Sequence, residues 1–359
     1  MGRVVHSLRF RGVDPQREAD HVGMIQLAKL RHLRGLLWSR ASLLLGSDCD
    51  ANSGRTRREV DRLIADGGLV ALRRGWFVRT TDWEGSYSED RHLLRVLAAS
   101  EAASSPGPVF SHYSAAALHG LPLFRVVDHR AHTTSPEPVG KSNAVVVRHI
   151  AQLAEDEVEA VADLRVTDLI RTVIDVARIA RPESSLCCAD AALRRVSNSG
   201  SNVQLWRASV QARLDGLGRA RGVVTARRIL EFADPGADSP LESISRLYLH
   251  RLGFEVRTQV PVPSPSGGEY TVDLELVGLD LLGEVDGKVK YADAEMRAGA
   301  TPEEVVFAEK KREDWIRGVT GKKLIRWGAR ELASLATFEQ YLRSMGVEIP
   351  LRRSGNYSI

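Results

Sequence analysis

The chain has 359 residues, which is long enough for two or three domains with separate cores. Its hydrophobic content of 43% and charged content of 27% are ordinary for a soluble globular protein. The formal net charge of +4 is only mildly basic, so a nucleic-acid partner is permitted but not required.

Cysteine usage and apolar runs exclude several classes of protein. Cys49 stands alone and Cys187 is adjacent to Cys188, so the Cys-x-x-Cys spacing of a zinc ribbon or thioredoxin-like site does not occur. A disulfide framework is equally disfavoured. Residues 1–20 lack the apolar core of a signal peptide, and nowhere do about 18 apolar residues follow one another without a charge. We therefore expect a cytoplasmic protein that does not cross a membrane.

The N-terminal region begins with residues 1–32, which we expect to be a disordered or peripheral lead-in. Residues 33–80 predict a helix, a polar loop at 47–54 and a second, amphipathic helix from 55 onward. Two short strands follow, at 69–72 and 76–78.

Arginines make two neighbouring elements of this region basic. The second helix carries Arg55, Arg57, Arg58 and Arg62, and the tip between the strands carries Arg73 and Arg74. A winged helix-turn-helix places a helix in the major groove of DNA and wing arginines on phosphates. The alternative is an arginine-rich face that contacts only solvent. We predict a winged-helix-like DNA-binding module over residues 33–80.

The middle region, residues 88–198, mixes helix and strand. Residues 111–122 predict a capped helix that Gly120 and Pro122 end, and residues 143–147 are a β-branched run. Residues 199–238 predict a linker or helical connector, with a domain boundary near residue 236.

Four histidines of the middle region have no spacing typical of a metal site or a catalytic triad. They are His112, His119, His129 and His132. We expect them to act as helix caps or as hydrogen-bonding groups in the core.

Three of these segments carry a resemblance to a known family. Residues 69–78, 111–122 and 167–175 resemble the AbiEi-type antitoxin family of regulators, over about residues 33–190. The resemblance implies a DNA-binding regulator and leaves room for a toxin partner.

The C-terminal region, residues 239–350, predicts a sheet flanked by helices. Its predicted elements, in chain order, are a helix at 239–252, strands at 255–262, 270–275 and 281–287, a helix at 302–318, a strand at 324–327 and a closing helix at 329–345.

Carboxylates gather on two of these strands. Asp273 lies on one, and Glu284 and Asp286 lie two residues apart on the next, so the last two share a face. Clustered carboxylates repel one another unless a cation sits between them, and hard oxygen ligands are what Mg²⁺ or Mn²⁺ prefers. The alternative for Glu284 and Asp286 is the solvated face of an edge strand. Glu242 fits a capping box that begins at Ser239, a role compatible with a place in the site.

The ordered acidic set resembles the PD-(D/E)xK nucleases. Glu242, Asp273 and Glu284-x-Asp286-Gly carry this resemblance, and residues 285–291 and 308–314 resemble the very-short-patch-repair-like branch. It implies a restriction-endonuclease-like fold and a divalent-metal endonuclease acting on DNA, with Asp273 and Glu284 as ligands. Asp286 would be a further ligand or an orienting group, and Glu242 would support the metal. Nucleases of this kind also cut as homodimers, which the chain permits.

The sequence departs from the family pattern at one position, because Asp286 stands where the family has its lysine. Lys288 is the first candidate for the missing cation, with Lys290 and Lys310 as alternatives. Lys310 and Arg312 are predicted to contact DNA phosphates, although an exposed helix with internal ion pairs is the plainer explanation. The substitution leaves two functions open: an active nuclease, or a DNA-binding regulator with a degenerate nuclease domain.

The predicted fold class is therefore multidomain, α+β and α/β. It comprises a winged helix-turn-helix, a mixed α/β middle region, and a restriction-endonuclease-like sheet flanked by helices.

Overall fold

The computed structural model describes residues 15–40, 56–103, 107–286 and 302–350. These residues separate into two compact units: an N-terminal unit, residues 15–230, and a C-terminal unit from residue 231 onward. Together they contain helices and three sheets, so the prediction of a multidomain protein with mixed α and β structure is confirmed. None of the helices in the described ranges is both long and apolar enough to cross a membrane.

The N-terminal unit begins with a helix, followed by a small sheet and further helices. Its first elements are α1 (Pro15–Gly35), β1 (Trp38–Ser39), α2 (Arg57–Ala65), β2 (Leu69–Arg73), β3 (Trp76–Arg79), α3 (Thr80–Gly85) and α4 (Ser88–Glu101). The strands form an antiparallel sheet in the order β1-β3-β2. Residues 15–32, expected to be a lead-in, instead belong to α1, in which Leu30 and Leu33 are buried.

Helix α2 begins at a complete capping box. The Thr56 hydroxyl accepts from the backbone N–H of Glu59, and the Glu59 carboxylate accepts from the backbone N–H of Thr56. Val60 of this helix packs with Trp38, Leu69 and Phe77 in a small core shared with the sheet. The turn between β2 and β3 contains Gly75 at φ 83°, a left-handed conformation that favours glycine.

A five-stranded sheet organises the rest of the N-terminal unit, in the order β6-β5-β4-β8-β7. The elements of this part of the unit are β4 (Val109–Phe110), α5 (His112–Leu118), β5 (Ala131–Ser135), β6 (Val146–Ile150), β7 (Val158–Val161), β8 (Leu164–Thr167), α6 (Leu169–Ile179) and α7 (Pro182–Asn198). Helices α8 (Val203–Gly216) and α9 (Val223–Phe232) occupy the segment expected to be a linker or helical connector. Every residue of α5 is buried, so this helix lies inside the unit.

The C-terminal unit is a four-stranded sheet with helices. Its elements are α10 (Pro240–Arg251), β9 (Val256–Pro263), β10 (Glu269–Leu276), β11 (Leu281–Asp286), α11 (Pro302–Thr320), β12 (Lys323–Gly328) and α12 (Leu335–Ser344). The strand order is β12-β11-β10-β9, so β10 and β11 are internal strands. The β11–β12 pair is parallel, which requires a crossover connection, and α11 lies in that connection.

Two apolar layers hold this sheet. Val272, Leu282, Ile316 and Leu324 belong to one core cluster, which joins the strands to α11. Elsewhere in the unit the Trp327 indole donates to the Ser245 hydroxyl of α10 at 2.7 Å, and its ring packs edge-on against a buried phenylalanine of α12. The sheet therefore holds its internal strands, which carry the predicted acidic residues, between packed helices.

Candidate functional site

Asp273 lies where the strand pairing is interrupted. The β9–β10 ladder pairs Val272 with Val260 and Leu274 with Thr258, but it passes over Asp273 and the residue opposite it. That opposite residue, Gln259, has φ 52°, a left-handed conformation that turns the strand locally. The Asp273 carboxylate accepts from the backbone N–H of Val285 on β11 at 2.8 Å.

Glu242 is buried at the start of α10, where Ser239 caps the helix as predicted and the Glu242 carboxylate accepts from the backbone N–H of Asp238. The Ser239 hydroxyl accepts from the Glu242 backbone N–H at 3.2 Å and donates to Glu242 Oε1 at 2.8 Å. Glu242 Oε2 accepts from the backbone N–H of Asp238 at 2.9 Å and from the Gln259 amide at 3.3 Å. Gln259 thus connects the helix cap to the interrupted position of the sheet.

Glu242 and Asp273 form an acidic pair, and the electrostatics show their coupling. Burial and the charge of Asp273 raise the pKa of Glu242 to about 7, against the opposing effect of the hydrogen bonds from Asp238 and Ser239. A carboxyl in this condition is partly protonated near neutral pH. A bound cation would favour the ionised form, so the pair offers hard oxygen donors suited to Mg²⁺ or Mn²⁺.

Glu284 has a different kind of surroundings, a network of arginines and glutamates. Its Oε1 is 2.5 Å from Arg312 Nη1 and its Oε2 is 2.8 Å from Arg326 Nη2. Arg312 and Arg326 also pair with Glu309, at 3.3 and 2.6 Å. Among the described residues, the partners of the Glu284 carboxylate are these arginines and not the acidic pair.

The burial of Glu284 overturns the alternative of a solvated edge strand. Its exposed fraction is 7%, and β11 lies between two other strands. Burial raises the pKa of the Glu284 carboxyl although Arg312 and Arg326 act to lower it. Two arginines therefore pair with the carboxylate that the family resemblance makes a metal ligand.

The remaining members of the predicted site are spread out. Asp286 is the exposed last residue of β11, and its charge contributes to a raised pKa of Tyr341, after burial and Glu331. Lys288 and Lys290 lie outside the described residues. Lys310 is exposed on α11, whereas the Arg312 guanidinium is engaged by Glu284, by Glu309 and by the Thr271 carbonyl at 2.9 Å.

The predicted DNA-contacting arginines of the N-terminal unit fall into three groups. Arg58, Arg62 and Arg74 are exposed on α2 and on the β2–β3 turn. Arg73 is half-buried and donates to the Ala99 carbonyl at 3.2 Å, and burial followed by the charge of Arg148 lowers its pKa. Arg55 and the side chain of Arg57 lie outside the described residues.

A second constellation, the histidine cluster, consists of His112, His132 and His149. One ring nitrogen from each lies within 4.8 Å of the others. His132 Nδ1 is 3.0 Å from His149 Nε2, and the rings of His112 and His149 stack with centroids 3.6 Å apart. The three residues come from the start of α5 and from the parallel neighbours β5 and β6.

Burial keeps the histidine cluster uncharged. It lowers the pKa of His112 well below the usual value and lowers those of His132 and His149 to about 4, with neighbouring histidines contributing at His112 and His132. The expectation of hydrogen-bonding histidines in the core is met at His112, at His132 and at His119, whose ring nitrogen lies 2.8 Å from the Thr167 carbonyl.

The histidine cluster borders a cleft of about 630 Å³. Its lining includes His112, His149, Asp175 and four arginines, which are Arg148, Arg171, Arg178 and Arg221. Sequence inspection passes over this site because its members come from separate elements. His149 is not among the histidines that the sequence singles out, and no spacing signal marks it.

Comparison with known proteins adds relatives but no activity. The chain matches no family model. It is similar to two curated proteins at 28% identity over 246 residues, which is 68% of this chain and 81% of each relative. They are Uncharacterized protein MT2308 of Mycobacterium tuberculosis (strain CDC 1551 / Oshkosh) and Uncharacterized protein Rv2248 of M. tuberculosis (strain ATCC 25618 / H37Rv). Neither name states an activity, so the functional conclusion rests on geometry.

Proposed function

We propose that the protein is a divalent-metal-dependent DNA endonuclease of the cytoplasm, directed to DNA by its N-terminal unit. The observation that carries this proposal is the acidic pair: Glu242 accepts from the Gln259 amide, Asp273 lies opposite Gln259 at the interrupted point of the sheet, and the charge of Asp273 helps to raise the pKa of Glu242. Both were candidates from the sequence. Their convergence gives a place where oxygen donors would hold Mg²⁺ or Mn²⁺.

The residues present fit such a cation. Glu242 is 3% exposed, and its pKa is raised to about 7 first by burial and then by the charge of Asp273, two effects that a bound dication would oppose. When bound, the metal would lower the pKa of a water molecule and stabilise charge on the attacked phosphate. The hydrogen bonds from Asp238 and Val285 would hold the two carboxylates in position.

Glu284 has a different role in this proposal from the one the family resemblance implies. Arg312 and Arg326 compensate its charge, so we assign it to positioning these arginines and not to direct metal binding. Removal of Glu284 would then impair stability before it impairs metal affinity.

Exposed basic side chains supply the DNA contacts. Arg58 and Arg62 lie on α2 and Arg74 lies on the following turn, an arrangement that suits a helix in a groove with a wing on the phosphate backbone. Lys310 offers a phosphate contact in the C-terminal unit. A homodimer that cuts both strands, and a toxin partner, belong to the same proposal.

A second function is favoured by a specific observation. Asp286 replaces the lysine of the family pattern, and arginines hold Glu284, as in a nuclease fold that has lost catalysis. The chain would then be a non-catalytic DNA-binding regulator of the antitoxin-like kind.

Nicking of supercoiled plasmid in Mg²⁺ or Mn²⁺ separates the two functions. We expect cleavage by the wild-type protein and a loss of at least 100-fold, on the order of one or two lost electrostatic contacts, in Asp273→Asn and Glu242→Gln. Asp314→Asn, an exposed carboxylate on α11, is the matched control and should cleave normally. Absence of cleavage by folded wild-type protein, with either metal and on duplex, mismatched, branched or single-stranded DNA, would reject the nuclease.

Gel shifts test DNA binding independently of cleavage, with the upstream region of its own gene as one probe. Arg58→Ala, Arg62→Ala and Arg74→Ala should each weaken binding across sequences and reduce the salt slope by about 1, as for a lost phosphate contact. Arg219→Ala, an exposed arginine of the same unit outside α2 and the turn, should leave binding unchanged. Binding with no cleavage would support the regulator.

A further inference from the structure

We propose that the histidine cluster of the N-terminal unit binds a transition-metal dication of the Zn²⁺ class through His112, His132 and His149. Neutral imidazoles suit zinc and its neighbours, whereas the carboxylates of the acidic pair suit magnesium. The cluster would therefore be a second metal site with a different preference. It is independent of the proposed nuclease.

The nitrogen positions are close to those that a metal needs. His132 Nδ1 and His149 Nε2 are 3.0 Å apart. Two nitrogens at the usual bond length around a tetrahedral zinc ion are roughly 3.3 Å apart, so a small opening of this contact would admit the ion. His112 would supply the third nitrogen once its ring rotates out of the stack with His149. Its Nδ1 is 2.9 Å from the Ser111 hydroxyl, which leaves Nε2 for the metal.

An unsatisfied nitrogen supports the same assignment. His132 Nε2 is buried and has no hydrogen-bond partner among the described residues, although His132 is only 2% exposed. The Asp128 carboxylate lies 3.6 Å from this nitrogen. With Nδ1 bound to a metal, the proton of His132 resides on Nε2 and faces Asp128. Zinc-binding histidines commonly have such a carboxylate behind them.

The histidine cluster lies beside an opening to solvent. The adjoining cleft, which His112 and His149 help to line, gives an ion a path to the cluster, and of the four arginines that also line this cleft Arg171 and Arg178 pair with Asp175. Three protein ligands would leave one coordination position open.

The competing explanation is a hydrogen bond between two neutral histidines, with no metal. To test it, full-length protein carrying Asp273→Asn, which disables the acidic pair, is freed of metal with a chelator and titrated with ZnCl₂ by calorimetry. We expect one equivalent to bind. His132→Gln and His149→Gln should each weaken binding at least tenfold, and Asp128→Asn should weaken it about 10–100-fold, as for loss of a residue behind a ligand.

His129→Gln is the matched control, because His129 is an exposed histidine close to β5 in the chain. It should bind zinc as the parent does. Co²⁺ provides a second readout, since tetrahedral nitrogen coordination gives intense visible absorption that the His132 and His149 variants should lose. Near-ultraviolet circular dichroism of the metal-free variants confirms that they are folded. Failure of the folded parent to bind Zn²⁺, or equal binding by the folded His132 and His149 variants, would overturn the proposal.

Discussion

Two features of the surroundings of Glu242 shift its pKa in opposite directions. At the start of α10 it accepts hydrogen bonds from Asp238 and Ser239, which favour the carboxylate. As a buried neighbour of Asp273 it resists ionisation, and this effect is the larger, because the pKa is raised. The motif from Ser239 to Glu242 predicts the cap from sequence. The neighbour that makes the residue chemically unusual is visible only in three dimensions.

This balance predicts a pH dependence of stability in metal-free protein. The pKa of Glu242 is 4.5 in the reference state and about 7 in the folded state, so the stabilisation that this group contributes is fully present below pH 4.5 and is lost as the pH rises to about 7. The free-energy difference corresponds to about 3 kcal/mol at most. Glu242→Gln should remove this fall. Urea unfolding of both proteins from pH 4.5 to 8 with a chelator measures it, and parallel profiles would contradict it.

Gly283 on β11 is required for close packing. A Cβ atom there would lie 2.2 Å from the ring of Trp327, a side chain that is 2% exposed and held by Ser245. Gly283→Ala should therefore destabilise the C-terminal unit by about 1–3 kcal/mol through overpacking. Gly318→Ala, in α11 with open space around it, should be neutral or stabilising by up to about 1 kcal/mol. Urea midpoints measure both, and equal effects of the two substitutions would refute the packing explanation.

Helix α11 has an inner, charged side that faces the sheet. The sequence correctly suggests an ion pair between Glu309 and Arg312 from their helical spacing, and the structure contains it at 3.3 Å. The stronger partner of Arg312 is Glu284, which is 28 positions away in sequence. No periodicity within the helix could have indicated this contact, because it depends on how the helix docks on β11 and β12.

Loss of Arg312 should leave Glu284 buried with one partner fewer. We expect Arg312→Leu to cost about 3 kcal/mol of unfolding free energy, the lower part of the range for breaking a buried ion pair. Lys310→Leu, on the exposed part of the same helix, should change stability by no more than about 0.5 kcal/mol. Adding Glu284→Gln to Arg312→Leu should recover part of the loss, which a double-mutant cycle measures. Purely additive effects would show that the two residues do not interact.

At the level of the entire chain, each unit has its own core and its own candidate metal site. We therefore predict two unfolding transitions in calorimetry. Zn²⁺ should raise the midpoint of the transition of residues 15–230, and Mg²⁺ should raise that of the C-terminal unit. A ligand at 100 times its dissociation constant stabilises the binding-competent state by about 2.7 kcal/mol.

Variants assign the two transitions. Gly283→Ala should lower the transition that Mg²⁺ raises, and His132→Gln should abolish the effect of Zn²⁺ on the other. A single transition that both ions shift equally would contradict separate sites on separately folding units.

Local patterns in the sequence predict many of the elements and some of the site. Capping residues, glycine breaks and apolar periodicity indicate the helices around Val60, Ile174 and Leu247 and the strands that carry Asp273 and Glu284, because these signals act over a few neighbouring residues. The same signals fail at residues 15–32, because contacts with distant parts of the unit hold this helix: Leu30 and Leu33 are buried, and Gln26 donates to the Ala117 carbonyl.

Long-range packing determines which of those side chains meet. Glu242 reaches Asp273 through the docking of α10 and the distorted strand at Gln259, while Glu284 pairs with Arg312 and Arg326 across β12 and α11. The histidine cluster joins residues from α5, β5 and β6 and has no motif at all. Residue types and local propensities can be read from a few neighbouring residues. Contacts between distant elements depend on how each unit packs its apolar surface as a whole, and no short stretch of sequence contains that information.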